Sequence, residues 1–259
     1  MINWIKKRLH RFISPPPKQL QFIVIGTQKS GTTALDRYLR KHPNVELPPK
    51  KELHFFDTPN YFNKPNPYTA YHKHFKFNTS KKCGEITPSY LYCQETPRRI
   101  YEYNSRIKII AILRNPVDRA YSHWNMNRNI GKESLSFEDA IAQEKERDRD
   151  TQPYQNLVYS YTDRGLYSEQ IRRYQRYFKD HQLHFVLYDT LKNNPTETLQ
   201  GICHFLGINE LNIPISSEHQ LNYYEPLHPE TRKKLQQYFH HDILEVERLL
   251  GWNCSHWLS

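Results

Sequence analysis

Gln21 to Leu35 reads QFIVIGTQKSGTTAL, and this stretch decides the fold. An apolar run, Phe22 to Ile25, breaks at Gly26 into a polar loop, and a helical pattern resumes at Thr32. That order predicts a buried parallel strand, a tight turn and a helix start. Backbone N–H groups at such a turn, together with the helix dipole, form an anion site. The loop from Gly26 to Thr33 keeps both glycines of the nucleotide-binding pattern GxxxxGK[ST], but the lysine after the second glycine is missing. Its cation is Lys29, inside the loop. ATP or GTP hydrolysis needs that lysine on the β/γ-phosphates and a hydroxyl on Mg²⁺. The departure therefore weighs against ordinary nucleotide hydrolysis. A plain strand-to-helix turn is the competing reading; glycine spacing, lysine and flanking periodicity together disfavour it.

Ile107 to Trp124 reads IKIIAILRNPVDRAYSHW. Ile109 to Leu113 is a second β-branched strand run. Arg114 follows at its C-terminal end, where open α/β sheets bind ligands. Pro116 suits the first turn of a helix, and Ser122 lies roughly two turns along it. A guanidinium at a strand end and a hydroxyl on the next helix can converge on one phosphate, which arginine binds bidentately. The alternative is a surface arginine and a helix serine that share no ligand.

Lys51 to Asp57 reads KELHFFD, between Pro48-Pro49 and the turn-prone Thr58-Pro59-Asn60. Glu52 and His54 are both candidate bases, and Lys51 and Lys29 candidate cations. The competing reading is an edge strand with Phe55 and Phe56 in the core and the charges in solvent.

These residues carry a resemblance. The first loop resembles the phosphosulfate-binding loop of sulfotransferases that use 3′-phosphoadenosine 5′-phosphosulfate (PAPS). RNPVDRAYSHW is similar to the family motif whose Arg and Ser hold the 3′-phosphate. KELHFFD resembles the KE-x-HFFD stretch of heparan sulfate glucosamine 3-O-sulfotransferases and their bacterial relatives. The resemblance implies Lys29 on the bridging oxygen, with amides of Ser30, Gly31, Thr32 and Thr33 on the 5′-phosphate. It implies Arg114 and Ser122 on the 3′-phosphate, and Glu52 as general base assisted by His54 and Asp57. Gly84 to Leu91 (GEITPSYL) and Arg164 to Phe178 (RGLYSEQIRRYQRYF) are similar to further family segments, the first along the acceptor cleft and the second a helix. The chain departs from the 3-O-enzymes at Ser216 to Leu235, which has no Lys-Gly-Arg triplet. Tyr223, Tyr224 and Arg232 are the candidates to replace it.

The remaining features set bounds. A chain of 259 residues suits one α/β domain with an ample core. Mean hydropathy is -0.87, and no apolar run reaches the roughly 18 residues of a membrane span. With no apolar signal segment either, a cytoplasmic location is expected. Residues 1–18 form a separate basic amphipathic segment before a domain over 19–259. In it Ile2, Trp4, Ile5, Leu9, Phe12 and Ile13 share a helical face apart from Lys6, Lys7, Arg8 and Arg11. Packing on the domain is the favoured reading of that face; peripheral contact with an anionic membrane is the other. Four cysteines at scattered spacings are expected as free thiols, and fourteen histidines show no metal-ligand spacing. The formal charge of +10 suits an anionic cofactor and an acidic acceptor, and no nucleic-acid motif is visible. Nothing in the chain specifies an oligomeric state.

The expected architecture is a single α/β domain. Its mainly parallel central sheet, built on strands near 21–25, 108–113 and 184–188, is flanked by helices in a P-loop-like sulfotransferase fold. The polar stretch 125–161 is expected to be a mobile flap over the acceptor site, with one helical piece near 136–146. The expected activity is metal-free sulfuryl transfer from PAPS, leaving 3′-phosphoadenosine 5′-phosphate (PAP), to a hydroxyl on a carbohydrate or small molecule. An atypical P-loop kinase or NTPase and a noncatalytic nucleotide- or sulfated-glycan-binding module are the alternatives.

Overall fold

β1 (Phe22–Gly26) is buried along its whole length and lies at the centre of a five-stranded sheet. The structure, a computed structural model, describes residues 18–149, 151, 155–210 and 226–259. The other strands are β2 (Val45–Glu46), β3 (Lys82–Ile86), β4 (Lys108–Leu113) and β5 (Leu183–Leu187), in the order β2-β3-β1-β4-β5. Every pairing is parallel. β1, β4 and β5 are the strands expected from the apolar runs. β2 has only two residues, and β3 (KCGEI) is interrupted by Gly84 and Glu85, so neither shows an apolar signature.

Among the described residues, ten α-helices connect and cover these strands. They are α1 (Thr32–Lys41), α2 (Tyr68–His72), α3 (Thr96–Tyr103), α4 (Pro116–Asn129), α5 (Phe137–Ala142) and α6 (Glu144–Arg149). α7 (Tyr167–Gln175), α8 (Tyr188–Asn193), α9 (Pro195–Leu206) and α10 (Pro229–Leu250) follow. Strand side chains alternate between faces, and two apolar layers result. Phe22 and Val24 pack with Leu35 and Leu39 of α1 and Ile202 of α9. Ile23 and Ile25 join Val117 of α4, Ile171 of α7 and Phe239 of α10 on the other face. Each such side chain contributes about 1.5–3 kcal/mol on full burial. Gly84 of β3 lies against the Phe22 ring, where a Cβ would sit 2.3 Å from ring carbons.

The stretch expected to be a flap is tied to the domain. Glu133 accepts from Arg147 at 2.6 Å and from the Tyr161 hydroxyl at 2.9 Å, while Trp124 Nε1 donates to Leu135 O. The stretch begins with the end of α4, and the one helical piece expected near 136–146 is two short helices, α5 and α6. The basic N-terminal segment up to residue 17, and Tyr223 and Tyr224, lie outside the described residues. Arg232 lies in the first turn of α10 and pairs with Asp118 of α4 at 2.7 Å. All four cysteines are free thiols.

β1 pairs with β3 on one side and β4 on the other. The chain thus switches direction across the sheet at β1, and the crevice beyond the carboxyl ends of these strands is where open α/β sheets bind ligands.

Candidate active site

The loop after β1 is fixed to β4 by two contacts. Thr27 N–H donates to Ile112 O at 2.8 Å, and the Thr27 hydroxyl donates to the same oxygen at 3.1 Å. The hydroxyls of Thr27 and Ser30 are hydrogen-bonded across the loop, and Ser30 N–H reaches Thr27 O at 3.3 Å. Lys29 and Gly31 have φ of 72° and 84°. The left-handed region is strained for lysine and free for glycine. A Cβ on Gly31 would lie 3.3 Å from Tyr188 and Leu191. α1 begins at once, with no side-chain cap on its first turn. The N–H groups of that turn, from Thr32 and Thr33 onward, are those the helical ladder leaves for an anion.

Cations surround the loop. Arg114 leaves β4, donates from Nη1 to Lys29 O at 3.0 Å, and lies 4.9 Å from the Tyr188 ring centroid. Arg119, on α4, is fully buried; among the described residues its Nε and Nη1 have no partner. Arg164, also buried, donates to Gln28 Oε1 at 2.8 Å. Burial and then the neighbouring charges of Arg114, Arg119 and Lys51 pull Lys29 down to about 8. His123, buried beside Ser122, is pushed far below the usual histidine range by burial and by Arg164, Arg119 and Lys29, so it stays neutral. Lys29 is therefore a cation penalised by its surroundings, and a bound phosphate group offsets that penalty. These residues fit a multiply charged anionic nucleotide. Ser122 is buried on α4. Among the described residues no hydrogen bond joins it to Arg114.

The second half of the site comes from 51–57, which is neither strand nor helix. Glu52 N–H donates to Ile86 O at 3.1 Å, docking the segment on the carboxyl end of β3. Glu52 and His54 have φ of 61° and 53°, so their side chains depart from the alternation an edge strand would impose. Lys51 Nζ bridges the two halves, donating to Thr33 Oγ1 at 3.2 Å and Glu52 Oε1 at 2.7 Å. The other Glu52 oxygen is 3.8 Å from His54 Nε2. His54 Nδ1 is 2.8 Å from Asp57 Oδ2, which also accepts from the Ser89 hydroxyl. The Asp57 bond raises the His54 pKa despite partial burial. Phe55 and Phe56 are core residues, as the edge-strand reading required, yet the charges form a connected chain rather than a solvated face.

Tyr90 holds this segment in place and was not singled out from sequence. Its hydroxyl accepts from Phe55 N–H at 2.9 Å and Phe56 N–H at 3.3 Å, and donates to Glu85 Oε1 at 2.7 Å. Glu85 is fully buried, also receives Tyr71 and Thr87 hydroxyls, and has its pKa raised by burial. Tyr90→Phe leaves two buried N–H groups and a carboxyl short of partners. We expect a loss of about 1–3 kcal/mol in urea unfolding, with reduced turnover and unchanged nucleotide affinity in the folded protein.

Among known proteins, a family model of the sulfotransferase domain matches residues 19–243. Human heparan sulfate glucosamine 3-O-sulfotransferase 5 is 32% identical over 202 residues, covering 78% of this chain and 56% of that protein. The chain thus spans little more than half the length of that relative. A sulfotransferase crystal structure from Alicyclobacillus acidocaldarius superposes with a TM-score of 0.80 at 30% identity, over 93% of this chain and 99% of the other. A mouse sulfotransferase solved with PAP has a TM-score of 0.51 at 19% identity, over 75% of this chain and 60% of the other, and shares the fold. From the family match over most of its length, the chain belongs to the sulfotransferase domain family.

Proposed function

We propose that the protein transfers a sulfuryl group from PAPS to a hydroxyl of a carbohydrate. The observation that carries this reading is the bridge made by Lys51, which ties the anion loop at Thr33 to a carboxylate backed by a histidine and an aspartate. A nucleotide-binding module needs the first half only. When bound, PAPS supplies the sulfuryl group and a phosphate leaving group. Lys29 then holds positive charge at the bridging oxygen, and the backbone amides from Ser30 to Thr33, at the start of α1, hold the 5′-phosphate. Arg114 and Ser122 hold the 3′-phosphate. Glu52 takes the acceptor proton, and His54, kept in place by Asp57, steadies the carboxylate. Protein cations and amides suffice to stabilise charge on a transferring group. A carbohydrate acceptor is supported by the heparan sulfate specificity in the human relative's name, at 32% identity.

The test is calorimetric titration with PAP, ATP and 5′-AMP, followed by radiolabelled PAPS with N-sulfated heparan oligosaccharides. Binding of PAP alone and label transfer to the sugar are the expected results. Preference for ATP with Mg²⁺ would sink the reading.

Lys29 sets a pH dependence. In the free protein it loses its proton near pH 8, whereas an anion beside it favours the charged form. Above that pH, binding must take up a proton. PAP affinity is therefore expected to fall as pH rises through about 8, approaching about tenfold per pH unit. Titrations on both sides of that pH check it.

A further inference from the structure

The opposite end of the sheet carries a feature that sulfuryl transfer does not use. Two cavities of about 470 and 260 Å³ lie at the amino ends of the strands and share Gln21, Thr79, Lys81 and Lys82. Five cations line them: Lys18, Lys81, Lys82, Arg106 and Lys108. No lining residue is acidic. The backbone sets these cations in one row. Gln21 N–H donates to Cys83 O, Lys108 N–H to Gln21 O, and Lys82 N–H to Asn44 O, so the starts of β1, β2, β3 and β4 are level.

Among the described residues, none of the five cations forms an ion pair, although Arg98, Arg147, Arg172 and Arg232 elsewhere do. Lys108 Nζ lies 5.2 Å from the Phe205 ring centroid and donates to Phe205 O, and its pKa is lowered by burial and by Lys82. Unpaired like charges in one groove repel one another. They are tolerated where an anionic partner completes the site. The groove also holds Lys18, the residue that follows a basic and apolar stretch of the sequence. Lys18 lines it, and the residues before Lys18 include Lys6, Lys7, Arg8 and Arg11 together with Ile2, Trp4, Ile5, Leu9, Phe12 and Ile13. A soluble polyanion explains the cations. An anionic lipid surface explains both the cations and the apolar residues that precede Lys18 in the sequence.

We propose that the amino-end face of the sheet, centred on Lys81, Lys82, Arg106 and Lys108, docks the protein on an anionic phospholipid bilayer. The strands are five or six residues long, so the loop bearing Lys29 stands roughly 16–20 Å away at their other end. Docking there leaves the Glu52 cleft facing outward, toward acceptors that approach from solution. The proposal does not depend on the identity of the acceptor.

The test is sedimentation of the full chain with vesicles of phosphatidylcholine alone and of phosphatidylcholine with phosphatidylserine, over a salt series. The expected result is binding only to the phosphatidylserine vesicles, weakening as salt rises. In Lys81→Glu/Lys82→Glu/Arg106→Glu that binding should fall by at least about tenfold. PAP affinity should stay unchanged, which also reports that the variant is folded. Should the triple variant not fold, Lys81→Gln/Arg106→Gln is expected to show a smaller fall in the same direction. The proposal is overturned if the wild-type chain does not distinguish the two vesicles. It is equally overturned if a folded variant binds them as the wild type does. Loss of heparin oligosaccharide binding with vesicle binding intact would reassign the groove to a soluble polyanion.

Discussion

Glu52→Gln is expected to lower turnover by about 10²–10⁴, the range for losing a positioned general base, while PAP affinity changes little. The substitution keeps the side-chain volume and an oxygen for Lys51, which donates to Glu52 Oε1 at 2.7 Å. The bridge to Thr33 therefore survives, and the anion loop should not move. What is lost is the capacity to accept a proton. Single-turnover rates with bound PAPS, set beside PAP titrations, separate the two effects. Near-normal rates would move the base to His54, whose ring lies 3.8 Å from the carboxylate and is held by Asp57. A large loss of PAP affinity would instead assign Glu52 a structural role in the loop.

Lys29→Met should lower kcat/KM by about 10²–10³, as removal of one preorganised charge from a transferring group does. Methionine retains much of the aliphatic stem and removes only the ammonium. Because burial and three neighbouring cations already hold this lysine down to about 8, the free variant should be no less stable than the wild type. Its PAP affinity should also lose the fall through pH 8. Unchanged kcat/KM, or a pH dependence that persists without the lysine, would show that another group supplies the charge.

The anion loop was legible because all its determinants are local. The apolar run of β1, the glycines, Lys29 and the helical pattern from Thr32 lie within fifteen residues, and each dictates its own neighbours. The start of α4 was equally plain: Asn115 caps Val117 N–H through its side chain, and Pro116 has the φ a first turn needs. β3 was hidden because Glu85 interrupts its apolar pattern, and only Tyr71, Thr87 and Tyr90, brought in by the fold, make that buried carboxyl tolerable. Tyr90 escaped notice for the same reason, since its partners at Phe55 and Phe56 are 35 and 34 residues away. Arg164 reaches Gln28 across 136 residues, a contact that no periodicity records. The resemblance carried Glu52, His54 and Asp57, whereas local pattern alone left 51–57 open between an edge strand and a catalytic segment.

The order β2-β3-β1-β4-β5 also bears on how the chain folds. Its parallel strands cannot pair through short hairpins, so every pairing closes a long loop before it is rewarded. The contacts of the site are as long-range or longer: Arg114 meets Lys29 across 85 residues, much as β1 meets β4, and Arg164 meets Gln28 across 136. No early local structure can contain the anion loop in working form. Tyr188, which begins α8 directly after the last strand, β5, lies beside Arg114, so a nascent chain that has made only the first four strands lacks that wall of the site.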